Sequence, residues 1–228
     1  PGTAACASGI AASLERQGRT DLTVVAMAGD GGTADIGIQA LSGAAERGAN
    51  MLFICYDNEA YMNTGTQRSG MTPLGARTTT TPAIGKIQPP KDMPAILEAH
   101  GIPYIATASP GFPADLYDKV VKARNIRGTR YMHLNAPCPA GWHYDAKDTV
   151  TLAKMAVDTG AFILSEIEDG VFRLTGRSLS LAQTGKRRSI EEFIRPQGRF
   201  GRASEEDVAA LQQWVDRRWE KAVRRHQD

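Results

Sequence analysis

The chain has 228 residues, 42% of them hydrophobic, with 27 Lys and Arg against 25 Asp and Glu for a net charge of +2. That is enough apolar content for a core and too much for a disordered chain, and so neutral a balance argues against nucleic-acid binding by bulk electrostatics. No apolar run reaches the roughly 18 residues of a membrane-spanning helix, and three irregularly spaced cysteines argue against a disulfide framework and for a reducing, cytoplasmic setting.

The chain opens on Pro1 rather than Met, and no signal-peptide pattern follows. Small residues over 2–8 run into a helical pattern at 10–17, which reads as a chain cut inside an element, with an N-terminal part missing. Residues 22–28 (LTVVAMA) predict a buried strand, 34–47 a helix ending at Gly48, and 51–56 (MLFICY) a second buried strand. A polar stretch over 57–90, rich in Thr, Gly, Pro and Asn, is too long for an ordinary connection and reads as an exposed functional loop. Helical patterns at 91–100, 113–125 and 149–158 then alternate with strands at 104–108, 131–135 and 161–167. The expected fold class is α/β, a three-layer, mainly parallel sheet with helices on both faces and ligands beyond the carboxyl ends of the strands.

After Glu168 the character changes. Asp169-Gly170 reads as a tight hairpin turn before a strand at 171–175. Residues 171–228 carry a net charge of +5 and residues 1–170 a net −3. The stretch 183–202 is basic and poor in apolar residues, so it reads either as a solvated arm or as an arm embracing another subunit. Ser204 and Asp207 are spaced as a capping box, and Val208, Leu211, Val215, Trp219 and Ala222 form one apolar helical stripe. The chain thus divides at 168 into an α/β domain, 1–168, and a region of hairpin, basic arm and amphipathic helix, 169–228.

The segment with chemistry is Gly29-Asp30-Gly31-Gly32, directly after the first strand. Glycines at a strand-to-helix turn let backbone N–H groups approach a phosphate closely. Gly29-x-Gly31-x-x-Ala34 formally fits a dinucleotide fingerprint, but Asp30 would then face a pyrophosphate, and Ala49 and Asn50 stand where an acidic residue belongs. The other reading makes Asp30 a ligand of a hard cation such as Mg2+, which prefers oxygen donors and bridges carboxylate to diphosphate. Asp57-Asn58-Glu59-Ala60, at the end of the next strand, supplies further oxygens.

GDG followed after that interval by Asn resembles the thiamine diphosphate motif. The longer strings GDGGTADIGIQALSGAAERG, CYDNEAYMNTGTQRSG, TPLGARTTTTP, KDMPAILEAHGIPYIATASP and HLNAPCPAGW resemble the β subunits of pyruvate:ferredoxin oxidoreductase (pyruvate synthase) and related 2-oxoacid:ferredoxin oxidoreductases. The resemblance covers about residues 5–168 and, weakly, EEFIRPQGRF at 191–200. It makes 1–168 a thiamine diphosphate-binding domain. It implies Mg2+ held by Asp30, the Asn58 side chain and the Ala60 carbonyl, and a diphosphate cradled by Gly29, Gly31 and Gly32 with Thr64 and Gly65 nearby. Asn63 stands where the family places an amide close to the reacting carbon and the substrate. Cys138 matches one ligand of a 4Fe-4S cluster; the family's other three cluster cysteines lie nearer the N-terminus and have no counterpart here.

The activity so implied is oxidative decarboxylation of a 2-oxoacid, by default pyruvate, to acyl-CoA and CO2, with electrons passed to ferredoxin. The implied partners are an α subunit supplying the activating glutamate, γ and ferredoxin-like δ subunits or domains, ferredoxin, a 2-oxoacid and coenzyme A, with the 57–90 loop in the interface and no activity of the chain alone. Nucleic acid and membrane are not expected partners. Two alternatives stay open: half of a non-oxidative thiamine diphosphate-dependent decarboxylase or synthase, and a non-catalytic nucleotide-binding subunit. Among the other residues, Cys55 reads as core, His133 as a strand residue, His143 as surface and His100 as a helix end, while Tyr56, Tyr61 and Met62 read as packing against a ligand or partner.

Overall fold

Two apolar runs, VVAMAG and MLFICYD, become β1 (Val24–Gly29) and β2 (Met51–Asp57), paired in parallel with Gly29 beside Tyr56. The structure is a computed structural model that describes residues 2–227; Pro1 and the reading placed on it lie outside. β3 (Tyr104–Ala108) and β4 (Thr129–Asn135) continue the parallel sheet, and β5 (Ser165–Glu168) and β6 (Val171–Leu174) extend it antiparallel. The order across the sheet is β1-β2-β4-β3-β5-β6. Asp169 and Gly170 both have positive φ, as a tight hairpin turn between β5 and β6 requires. The sheet therefore runs through position 168, where the sequence divides.

Three helices, α1 (Thr3–Arg16), α3 (Ile38–Glu46) and α4 (Met93–Glu98), share one core with the sheet, built from Ala4, Ala7, Leu41, Met93 and Leu97 against Val24, Ala26, Phe53 and Cys55. Between β1 and α3 lies the short α2 (Asp30–Ala34). α5 (Pro113–Asn125) packs Ala123 against Leu52, Ala106 and Met132 in a separate core. A parallel sheet normally buries both faces, yet Val25, Met27 and Tyr56 near the β1 edge are 51%, 54% and 42% exposed. A further core joins α6 (Pro139–Trp142) and α7 (Thr149–Asp158) to α9 (Ile190–Ile194) and α10 (Glu205–Gln227), with α8 (Gly176–Thr184) packed on α7.

Several expectations are corrected. The helix expected over 34–47 is α3, which starts only at Ile38, because the preceding glycine turn coils into the separate α2, with Thr33 Oγ1 donating to the Gly29 carbonyl at 2.8 Å, and 35–37 turn between them. The first helix takes in the small residues from Thr3 onward, continuous with the helical pattern expected at 10–17. Residues 161–164 are irregular rather than strand, and the Ile163 carbonyl accepts from Thr107 Oγ1 instead of joining the ladder. The stretch 183–202 is not a solvated arm: Ile190, Phe193, Ile194 and Phe200 are buried with Trp142, Leu152, Leu211 and Val215. Its few apolar residues are concentrated on one side, which average composition hides. The capping box is reciprocal, Ser204 N–H donating to Asp207 Oδ2 at 2.9 Å and Asp207 N–H to Ser204 Oγ at 3.1 Å. Among the described residues no helix is long and apolar enough to cross a membrane.

The buried reading of 190–200 is checked by urea denaturation. Phe193→Ala removes a ring packed edge-on against Trp142 at 6.0 Å and should cost about 3–5 kcal/mol. Arg195→Ala, whose side chain is 82% exposed, should cost less than about 0.5 kcal/mol.

Candidate functional site

The parallel register sets Asp30, at the exit of β1, beside the exit of β2. Gly29 is still extended (φ −69°, ψ 170°), and the chain then coils, burying Asp30 to 1% exposure. β2 ends at Asp57, whose Oδ1 accepts the Glu59 N–H at 2.8 Å, and Glu59 takes a left-handed backbone with φ +66°. That reversal folds the turn back on itself. The Asn58 side-chain oxygen lies 2.8 Å from the Ala60 carbonyl oxygen and 2.9 Å from Asp30 Oδ1.

Three acceptors cannot face one another unaided. Either the Asn58 amide is turned over, so that its nitrogen donates to both neighbours, or a cation sits among them. A carboxylate, an amide oxygen and a backbone carbonyl are the donors a hard cation such as Mg2+ takes. The residues present therefore fit the metal. Burial, reinforced by Asp57, pushes the Asp30 carboxyl up to about 8; a bound cation would relieve that cost.

Neighbours fix each ligand atom. Ser69 Oγ donates to Asp30 Oδ2 at 2.5 Å and itself accepts the Met71 N–H at 3.1 Å, leaving Oδ1 for the cluster. Tyr61 OH sits 3.2 Å from the Gly31 carbonyl and 3.0 Å from Asp35 Oδ2, and its ring lies where a Gly31 side chain would begin, 2.3 Å from an added Cβ. Gly29 faces the Tyr56 ring at 3.3 Å in the same sense, whereas Gly32 would have room for a side chain. Asn63, Thr64 and Gly65 form the exposed tip of a tight loop closed by the Tyr61–Gln67 bridge, with Thr64 Oγ1 held by Gln67 Oε1 at 2.5 Å. Tyr61 is the link between that tip and the glycine turn.

The 57–90 segment is not an exposed loop throughout. Ser69, Met71, Thr72, Ala76 and Lys86 are buried, because Lys86 Nζ donates to the Gly70 and Thr72 carbonyls at 2.9 and 2.7 Å and gathers the chain around itself. Its exposed apolar residues are Ile84 and Ile87, 71% and 64% accessible.

The histidines and cysteines separate by role. His133 Nε2 lies 2.9 Å from Asp57 Oδ2 and its Nδ1 2.8 Å from Tyr131 OH, so it braces the end of β2 from within the sheet. His100 is bonded to Ser42 and to the Ile96 carbonyl, and His143 is exposed. Cys55 is buried in β2, which pushes its thiol up, and Cys6 is exposed on α1. Cys138 is half-buried just before α6, near Met62. A 4Fe-4S cluster takes four thiolates as a rule, and among the described residues no three His, Cys, Asp or Glu side chains gather as a metal site; these residues do not by themselves fit the cluster. Sequence reading passed over Ser69 and Arg199, since a lone serine or arginine carries no periodic or motif signal.

The fold and the cation-ready glycine turn define a cofactor-binding domain of the thiamine type. The family model described as the thiamine pyrophosphate enzyme C-terminal TPP binding domain matches residues 2–134. The pyruvate synthase subunit PorB of Methanothermobacter marburgensis is 53% identical over 93% of this chain and 73% of its own length. The ketoisovalerate oxidoreductase subunit VorB of Pyrococcus abyssi is 46% identical over 96% of this chain and 72% of its own length. A solved 2-oxoglutarate:ferredoxin oxidoreductase from Magnetococcus marinus superposes with a TM-score of 0.54 and 25% identity, over 68% of this chain and 57% of that one. The chain belongs to the thiamine diphosphate-binding β-subunit family of the 2-oxoacid:ferredoxin oxidoreductases.

Gly31→Ala should drive a methyl into the Tyr61 ring and open the turn. Calorimetric titration with thiamine diphosphate and Mg2+ should show at least a roughly tenfold weaker binding, about 1.4 kcal/mol; Gly9→Ala, exposed on α1 with nothing near its Cβ position, should bind within about twofold of the parent.

Proposed function

We propose that this chain holds the Mg2+–thiamine diphosphate half of an enzyme that oxidatively decarboxylates a 2-oxoacid, with pyruvate as the first substrate to test. The observation that supports the metal assignment is the close approach of the Asn58 side-chain amide to Asp30 Oδ1 at 2.9 Å and to the Ala60 carbonyl at 2.8 Å. Asp30 supplies the charge, Asn58 and Ala60 the neutral oxygens, and Gly29, Gly31 and Gly32 let the backbone approach a diphosphate without side chains in the way. Thr64 and Gly65 flank the same cofactor, and the Asn63 amide, free at the loop tip, orients the substrate. When bound, thiamine diphosphate supplies the electron sink for loss of CO2, chemistry no side chain here provides. The protein's share is binding, orientation and exclusion of water.

The site is half of one. No carboxylate in this chain is assigned to activate the cofactor; that glutamate is proposed to come from an α subunit, with coenzyme A and ferredoxin served by further γ and δ subunits or domains. Exposed Ile84 and Ile87 at the loop, and Val25, Met27 and Tyr56 on the sheet, support contact with a partner. Cys138 is proposed as one thiolate ligand of a 4Fe-4S cluster whose remaining ligands lie elsewhere.

Two measurements test this. Asp30→Ala should abolish Mg2+-dependent thiamine diphosphate binding in calorimetry, and binding that survives overturns the metal site. In the complex purified without oxygen, thiamine diphosphate and iron per copy of this subunit are quantified together. Cofactor with iron, and loss of one cluster's electron paramagnetic resonance signal in Cys138→Ser with cofactor retained, supports the oxidoreductase. Cofactor without iron moves the assignment to a non-oxidative thiamine enzyme.

A further inference from the structure

The turn that carries Asn58 and Ala60 depends on Glu59 keeping φ +66°, a backbone that residues with a Cβ rarely adopt. Asp57 and Thr72 hold its main chain, accepting the Glu59 N–H at 2.8 Å and donating to the Glu59 carbonyl at 2.6 Å. Its side chain is held from the far end of the molecule. Glu59 Oε2 lies 2.5 Å from Arg199 Nη2, in an ion pair whose arginine side chain is 3% exposed. The contact is an ion pair rather than an aligned hydrogen bond.

Arg199 is itself clamped. Its Nε donates to Gln197 Oε1 at 2.8 Å, and Gln197 Nε2 donates to the Phe193 carbonyl at 2.7 Å. The Arg199 carbonyl accepts the Arg77 N–H at 3.1 Å. Its guanidinium stacks 3.9 Å from the centroid of the Trp142 ring, and Trp142 Nε1 donates to the Asn58 carbonyl at 2.9 Å. The two groups that grip the ligand turn, one through the Glu59 side chain and one through the Asn58 main chain, are thus stacked on each other. With its carboxylate committed to Arg199, Glu59 takes no place in the oxygen cluster.

We propose that Arg199 is a positioning residue: through Glu59 and Trp142 it keeps the 58–60 turn left-handed, so that the Asn58 and Ala60 oxygens face Asp30 and the cation. This gives the C-terminal region a task in the cofactor site, and it rests on the metal reading above. A residue that only stabilises the fold would change melting without changing the cation requirement. A residue that holds a left-handed turn becomes dispensable when glycine, which needs no such restraint, replaces Glu59.

The experiment uses the full-length chain in its purified complex and reads the Mg2+ concentration that half-saturates thiamine diphosphate binding, with thermal melting of the cofactor-free complex alongside. R199M should raise the half-saturating Mg2+ by about tenfold, the scale of lost outer-shell support at metal sites. The pair E59G and R199M together should return it to within about twofold of the parent. An unchanged requirement in R199M overturns the proposal, and so does a rise that persists in the double variant. Should R199M fail to assemble, R199K carries the test, since an ammonium keeps the charge but neither stacks nor forks as a guanidinium does; a requirement equal to the parent's then overturns the proposal. If the parent itself binds thiamine diphosphate without any divalent cation, the metal reading fails first, an outcome distinct from both.

Discussion

Everything at the mouth of this sheet is organised around one close approach, that of the Asn58 side-chain amide to Asp30 Oδ1 at 2.9 Å and to the Ala60 carbonyl at 2.8 Å. With its nitrogen turned toward them the amide donates to both; with its oxygen toward them the three acceptors call for a cation, and a hard divalent cation suits their chemistry. Burial and the nearby Asp57 push the Asp30 carboxyl up. Neighbours hold the approach in place, with Ser69 fixing one oxygen of Asp30 and Asp57, Thr72 and Trp142 fixing the turn.

The sheet makes this possible at low cost. Parallel pairing of β1 with β2 puts two chain exits side by side, where the strands can no longer satisfy each other. One exit is taken up by glycines and a five-residue helix, the other by a left-handed turn. Behind them, the buried chain Tyr131–His133–Asp57 ties the end of β2 to the middle of the neighbouring β4. The histidine here is a brace rather than a ligand, which is the commoner fate of a histidine on a central strand.

The C-terminal region illustrates the limits of composition. Its +5 net charge is real, but charge average and burial are different quantities. Arg199 and Gln197 are among the buried polar residues, and Ile190, Phe193, Ile194 and Phe200 anchor them against α7 and α10. A basic stretch with four well-spaced apolar residues behaves as a packed cap over the strand ends. The exposed apolar patch at β1 is the converse case, apolar residues that none of the described residues cover.

By itself the sequence determined the α/β alternation and the Gly29–Gly32 turn at a strand exit, while Asp30, Asn58 and Ala60 were singled out as an oxygen set through the family resemblance. The first two are local properties, set by periodicity, glycine content and residue chemistry along short stretches. Pro113–Asn125 and Thr149–Asp158 were legible as helices for the same reason, since their apolar spacing is intrinsic. What only the tertiary structure decided is which distant side chains complete the site. Ser69 meets Asp30, and Arg199 meets Glu59, across long stretches of chain whose fold-back no local pattern encodes. Such pairings depend on how cores pack and where loops close, and they exist only once the whole chain has folded around the strand ends.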